Sequence, residues 1–213
     1  MIPYFVLYLI FIMFSSFGPL ASWLVMIPQT GEMKLVGGEK LAISYEHGSI
    51  DVWKSRAQIR SKSEPVAFVL SFTGNATRAE EMLPDLSVTW QQHDVEIWVM
   101  NYPGYGTSTA PARLQSAADA GLAVYDELRK RAGNRPIYVH GMSLGTTVAL
   151  HVCANRSEAS ALILENPPPL RQLIQGRFGW WNLWLLSTPI SLGIPTDLDS
   201  LANAKRCKMP SLL

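Results

Sequence analysis

The chain is poor in the features that mark a nucleic-acid binder or a metalloprotein. Its 18 Lys and Arg are nearly matched by 17 Asp and Glu, for a net charge of +1. No basic surplus therefore points to a phosphate backbone. It has only two cysteines, Cys153 and Cys207, and four histidines. No Cys-x-x-Cys or Cys/His spacing suggests a metal site. Cys153, inside the apolar run Ala149 to Ala154, reads as a buried structural thiol. There is no internal repeat and no low-complexity tract. At 213 residues the chain is one domain by length, with interior enough for a sizeable core.

Charge is missing altogether from the first 31 residues. Ile2 to Phe14 is apolar apart from Pro3 and two tyrosine hydroxyls. Extended through the weaker half to Ile27, the span reaches the ~20 residues that cross a bilayer. Ser15, Ser16, Gly18 and Pro19 interrupt it. The readings are a single-pass membrane anchor, a cleaved signal with Tyr4 to Phe14 as its apolar part (leaving a secreted or periplasmic protein), or a buried hydrophobic helix. A signal normally begins with basic residues, and here only the α-amine is cationic.

Beyond residue 32 strands and helices alternate. Lys40 to Tyr45 and Ile50 to Lys54 read as short strands around a His47-Gly48-Ser49 turn. Val66 to Phe72 is a continuous apolar run of strand length, as expected where both sheet faces are covered, and Val95 to Met100 is the next buried strand. Thr77 to Gln92 is helical, broken or restarted at Pro84. Leu114, Ala118, Leu122, Tyr125 and Leu128 recur at helical spacing, with Arg129, Lys130 and Arg131 in the last turn and Gly133 as a cap. Pro136 to His140 is a strand, Leu144 to Ala154 a helix, Ser160 to Leu164 a strand. The fold expected is α/β: a mostly parallel sheet with helices on both faces, preceded by an N-terminal hydrophobic helix.

Between strand and helix stands Gly141-Met142-Ser143-Leu144-Gly145. A serine at so sharp a turn has its hydroxyl lifted above the sheet end, where it can attack an acyl carbon, and the flanking glycines let the bend close. The pattern alone matches a chain of this length by chance roughly one time in fifteen. Its context discriminates: it follows a strand, opens a helix, and joins two other loops at carboxyl ends of strands, the edge where such sheets bind ligands.

Phe72-Thr73-Gly74-Asn75-Ala76, Asn101-Tyr102-Pro103-Gly104-Tyr105-Gly106, Gly141 to Gly145 and Leu162-Ile163-Leu164-Glu165-Asn166-Pro167 occur in order. With them residues 35 to 213 resemble the α/β-hydrolases, in particular membrane-anchored abhydrolase-domain serine hydrolases. The resemblance implies Ser143 as nucleophile. It implies an oxyanion hole from the N–H of Leu144 and an N–H of the Gly74–Ala76 loop, assigned to Asn75. Gly74 would let backbone approach the substrate, and Tyr102 would belong to a rigid pocket wall. Thr73 stands where the family commonly has His, which bears on the hydrogen bonding of that loop. Residues 170–195, with Trp180, Trp181 and Trp184 among leucines, correspond to the family's cap. Trp181 would line an apolar acyl pocket, the alternative being a helix packed on the sheet. The domains expected are thus 1–31, anchor or signal, and 32–213, hydrolase core with that cap.

The base is the difficulty. In this fold the triad runs Ser, Asp or Glu, His. After Ser143 the only histidine is His151, two helical turns on and some 12 Å away. His140 reads as a structural strand-end residue. Glu165 is a pocket-wall or loop-bonding carboxylate, or an acid placed one strand early. Pro210 to Leu213 resembles the start of the strand that precedes the family's acid and histidine. The expectation is a hydrolase core lacking its C-terminal segment. Its activity would be hydrolysis of an ester or thioester of an apolar acyl group, impaired in this chain, without cofactor or metal. The partners expected are a small or lipid-like acyl substrate and a membrane, with no nucleic acid. The rival expectations are a non-catalytic scaffold or inactive product, and the same fold turned to peptidase or amidase work.

Overall fold

The computed structural model describes residues 2–16, 19–57, 64–178 and 184–213. Two helices come first, α1 (Ile2–Ser16) and α2 (Pro19–Val25). An antiparallel hairpin follows, β1 (Glu39–Tyr45) and β2 (Gly48–Arg56), then β3 (Ala67–Phe72), α3 (Ala79–Thr89) and β4 (Val95–Met100). The chain continues through α4 (Leu114–Ala132), β5 (Ile137–Met142), α5 (Leu144–Asn155) and β6 (Ala161–Glu165). It closes with α6 (Leu170–Phe178), α7 (Trp184–Leu192), a 3₁₀ turn at Thr196–Leu198, α8 (Ser200–Arg206) and the short β7 (Ser211–Leu212).

The seven strands order as β1-β2-β4-β3-β5-β6-β7, parallel from β4 to β7. All six residues of β3 and of β4 are buried. They can be apolar apart from Ser71 and Glu96 because α3 packs on one face while α4 and α5 pack on the other. Alternation assigns the faces. Val69, Val95, Ile97 and Val99 meet Met82, Leu83 and Leu86 of α3. Phe68, Leu70, Phe72 and Val139 meet Leu114, Tyr125, Val148 and Val152 of α4 and α5. After β3 the chain steps one way to β4, then crosses back to place β5 on β3's other side. The loops leaving β3 and β5 therefore diverge over neighbouring strands, the topological switch where α/β sheets form their crevice.

Three expectations change. The N-terminal span is two helices rather than one, because Pro19 opens α2 at the first helical position, where its missing N–H forfeits no bond. Among the described residues no helix is long and apolar enough to cross a membrane. The helix after β3 is not broken at Pro84: α3 runs through it. Pro84 is exposed and removes only one backbone bond, while Met82, Leu83 and Leu86 hold the helix on the sheet. Its start falls later than Thr77, where Glu81 reaches back to the Arg78 N–H at 2.8 Å and closes a capping box. Gly133, at φ 60°, does end α4, and Asp199 caps α8 by accepting from Leu201 N at 3.1 Å and Ala202 N at 3.0 Å.

α4 and α5 approach closely at Gly121. A Cβ there would stand 2.6 Å from Val148 Cγ1 and 3.3 Å from Val152 Cγ2. Overpacking of this kind costs about 1–3 kcal/mol, which exceeds the ~1 kcal/mol that alanine gains over glycine in a helix. Gly121→Ala is therefore expected to lower the urea midpoint, although it raises helix propensity. A raised midpoint would contradict this packing.

Candidate active site

Ser143 stands alone between β5 and α5 with φ 49° and ψ −118°. A non-glycine residue held there stores on the order of 1–3 kcal/mol of strain and persists only where its surroundings over-determine it. They do so here. A Cβ on Gly141 would lie 2.5 Å from the Gly145 carbonyl oxygen, and one on Gly145 would collide with the Phe72 carbonyl. The Ser143 N–H donates to Glu165 O at 2.8 Å, and its carbonyl accepts from Thr146 N at 3.0 Å and Thr146 Oγ1 at 2.7 Å. The backbone is bonded on both sides while the side chain stays half-buried at the edge of the sheet.

Gly74 lies beside it. A Cβ built there is 3.7 Å from Ser143 Cβ, so the β3 loop and the elbow are in contact. Leu144 is the first residue of α5, so its N–H has no intrahelical acceptor and sits at the positive end of the helix dipole. This arrangement can present N–H groups to a negative oxygen forming next to the serine.

The β3 loop is propped from beneath. Ala76 takes φ 58°, and Thr77 N donates to Gly74 O at 3.4 Å. Tyr102, expected as a wall of the pocket, is fully buried instead; its hydroxyl donates to Thr73 O at 2.7 Å, which makes it a strut. Burial pushes its phenol far above the ordinary value, so it remains a donor at any physiological pH. Tyr105 packs edge-on against it at 5.5 Å between ring centroids, and its hydroxyl donates to Asn75 Oδ1 at 3.1 Å. Thr73 Oγ1 is buried without a hydrogen-bond partner among the described residues. Asn101 fixes the second loop to the start of α3, accepting from Ala79 N at 2.8 Å and donating to Glu80 Oε2 at 2.9 Å.

On the α3 side of the elbow a cavity of about 300 Å³ is bounded by Thr77, Glu81, Asp85, His140, Met142 and Glu165. His140 is buried. Its Nδ1 is 2.8 Å from Ser71 Oγ, and its Nε2 lies 3.3 Å from Glu165 Oε1 without the geometry of a hydrogen bond. Burial holds its pKa below the usual histidine value, and the Glu165 carboxylate opposes this only in part. Glu165 itself is largely exposed, and its carbonyl, rather than its carboxylate, touches Ser143. A second cavity, of about 280 Å³, lies at the opposite edge of the sheet between Leu35, Ser55 and Leu83.

The other histidines are engaged elsewhere. His151 is buried on α5 against Asn155, with Nδ1 3.4 Å from Asn155 Nδ2. His47 is 3.4 Å from Asp119, and His93 packs edge-on against Trp90. Among the described residues none of the four hydrogen-bonds to the Ser143 hydroxyl. No group of three or more His, Cys, Asp or Glu among them could hold a metal ion. Trp181 lies outside the described residues. The segment around it forms α6 and α7, joined by Gln175 Nε2 to Ser191 Oγ at 3.0 Å, and α1 leans on α7 through Tyr8 OH to Leu185 O at 3.2 Å. Sequence reasoning missed the Ser71–His140 pair and the service of Tyr102 and Tyr105 as props. Two polar residues inside otherwise apolar buried strands were the available signal for the first.

Comparison with known proteins places the fold. A family model described as the alpha/beta hydrolase fold matches residues 65–206. Bovine (Bos taurus) lysophosphatidylserine lipase ABHD12 is 29% identical over 143 residues, covering 61% of this chain and 35% of that protein. Protein bem46 of Schizosaccharomyces pombe is 31% identical over 106 residues, covering 46% of this chain and 34% of its own length. The matched stretch thus spans about a third of these curated relatives. Among solved structures, an alpha-beta hydrolase from Vibrio vulnificus superposes with TM-score 0.67 at 20% identity, covering 84% of this chain and 63% of that one. At that identity the likeness is one of fold.

The buried histidines give the protein a pH signature. In the unfolded chain both titrate near 6.5, whereas burial lowers His140 and His151 in the folded one. Below 6.5 the unfolded state takes up protons that the native state refuses, so this stability is present above that pH and is lost as pH falls. The thermal midpoint is expected to drop between pH 7.5 and 5, and His140→Gln to flatten the drop. A midpoint indifferent to pH over that range, or a variant as steep as the parent, would refute this.

Proposed function

The chain belongs to the alpha/beta hydrolase fold family, and from that premise we propose that it is a serine hydrolase acting on an ester or thioester of an apolar acyl group. The Ser143 hydroxyl oxygen attacks the acyl carbon and gives up its proton to a base. The carbonyl oxygen gathers negative charge and accepts hydrogen bonds from the N–H groups of Leu144 and Asn75. The tetrahedral adduct expels the alcohol or thiol and leaves an acyl-enzyme, which water then cleaves by the same path. The observation that carries this reading is the strained bend at Ser143 against Gly74, 3.7 Å from Cβ to Cβ position. Strain at a half-buried serine beside the first N–H of a helix has no structural use that an ordinary turn would not serve.

A lipid ester with one acyl chain suits the reading best, in line with the lysophosphatidylserine lipases among the relatives. Residues 170–195, Trp181 included, would cover the acyl chain as a cap. The 31 charge-free residues would hold the protein at a membrane. Tyr4, Phe5, Leu7 and Leu9 of α1 are exposed, which suits contact with lipid through the face of the helix rather than a span. No histidine in the described geometry serves Ser143, so turnover here rests on the oxyanion donors and binding, which in other serine enzymes leave ~10³–10⁴-fold over water. That same lack favours a second reading, a hydrolase-like scaffold that binds acyl lipids without turning them over.

A fluorophosphonate probe and p-nitrophenyl butyrate separate the two. The expected result is slow labelling that maps to Ser143, slow ester turnover, and loss of both in Ser143→Ala. Turnover unchanged in Ser143→Ala would end the hydrolase reading, and lysophospholipid binding without turnover would favour the scaffold. For the membrane, the full chain is expected to float with phosphatidylcholine vesicles and to lose at least half of that flotation in the Phe5→Asp, Leu9→Asp double variant. Equal flotation of the two would argue against α1 as the contact.

A further inference from the structure

The residues ahead of the core are fastened to the same loop that lies beside Ser143. Both ends of the Asn75 side chain are engaged: Oδ1 accepts from Ile27 N at 2.9 Å and from Tyr105 OH at 3.1 Å, and Nδ2 donates to Val25 O. Ile27 N–H can only donate and Val25 C=O only accept, so the amide fits one way round. Two residues further on, Gln29 O accepts from Gly106 N at 2.8 Å and Gly31 N donates to Gly106 O at 3.0 Å, with Thr30 bridging to Gly106. Met26 is buried between these ties. Upstream, Ser22 Oγ accepts from Leu114 N at 3.2 Å and serves the first N–H of α4, whose own cap residue, Arg113, makes no side-chain cap bond.

We infer that Asn75, through the strap formed by residues 25–31 and with Tyr105 beside it, is a positioning residue for the backbone donor of the oxyanion hole. The inference rests on the reading of Ser143 as nucleophile. The loop from Thr73 to Thr77 has one support below, the Tyr102 hydroxyl on Thr73 O. Its only internal backbone bond outside the sheet is the long one from Thr77 N to Gly74 O, at 3.4 Å. Ala76 sits at a positive φ that an alanine does not choose unaided. The side chain of Asn75 supplies the second support, and that support comes from outside the sheet. An oxyanion donor acts only when its N–H is held at the place where charge develops, and a displacement of about 1 Å can cost 10²-fold in rate. The strap is thus part of the site, and α2 is its anchor.

The test uses the full chain with Asn75→Ala, Tyr105→Phe and the double variant. Two measurements are made: amide hydrogen exchange, and kcat and KM on p-nitrophenyl butyrate. Asn75→Ala is expected to speed exchange at residues 74–77 and 27–31 by about tenfold or more, with β3 and α5 as protected as in the parent. It should lower kcat about tenfold with KM within about twofold. Tyr105→Phe should do less, and the double variant more than Asn75→Ala, because the Tyr105 hydroxyl also accepts from Ile27 N at 3.0 Å and so holds the strap by a second tie. Unchanged loop exchange, or a raised KM at unchanged kcat, would overturn the inference. General loss of protection in Asn75→Ala would mean a merely structural role and would overturn it too. Turnover that survives Ser143→Ala would instead sink the nucleophile, and the exchange measurement would still decide whether strap and loop are linked.

Discussion

The site depends on one close approach, the passage of the Gly145 backbone beneath the carbonyls of Phe72 and Thr73. No side chain fits there, and the chain can enter α5 only by bending sharply at Ser143. The approach in turn needs β3 and β5 side by side in the register Phe72 to Gly141. That register is fixed by two buried strands whose alternate residues face α3 on one side and α4 with α5 on the other. The strain at the serine is therefore borne by the whole core rather than by the turn.

What was legible in the sequence was whatever repeats or cannot be substituted. The apolar run near Ala67–Phe72 and the mostly apolar stretch Val95–Met100 marked the buried strands, and the spacing from Leu114 to Leu128 marked α4. The glycines of the elbow marked a bend that excludes a Cβ. What stayed hidden were contacts between residues far apart in the chain. Tyr102 and Tyr105 look alike in sequence as turn aromatics, and only the fold makes the first a buried strut and the second a partner of Asn75. Pro84 reads as a break because local propensity opposes it, and packing of the helix on the sheet overrides that propensity. Pro19 divides the N-terminal span for the opposite reason, since there its geometry agrees with a new helix start.

Two sets of buried polar groups lie near the site. Arg78, Glu80 and Asn101 form a buried network that ties the second loop to the start of α3. Ser71 and His140 form a pair on adjacent strands beneath the elbow. Both sets satisfy groups that would otherwise lie unpaired in the core. The histidines are spent on such duties. Ser143 and the Gly74 loop are held side by side, while no histidine among the described residues touches the Ser143 hydroxyl to take up the proton that the proposed chemistry releases.

The strap also sets an order of events during synthesis. Its anchoring partners arrive late: Asn75 follows Ile27 by 48 residues, Tyr105 by 78, and Leu114 follows Ser22 by 92. Until they emerge, residues 22–31 lack the partners that hold them in the native fold. The strap can therefore reach its native place only after the centre of the molecule has been made.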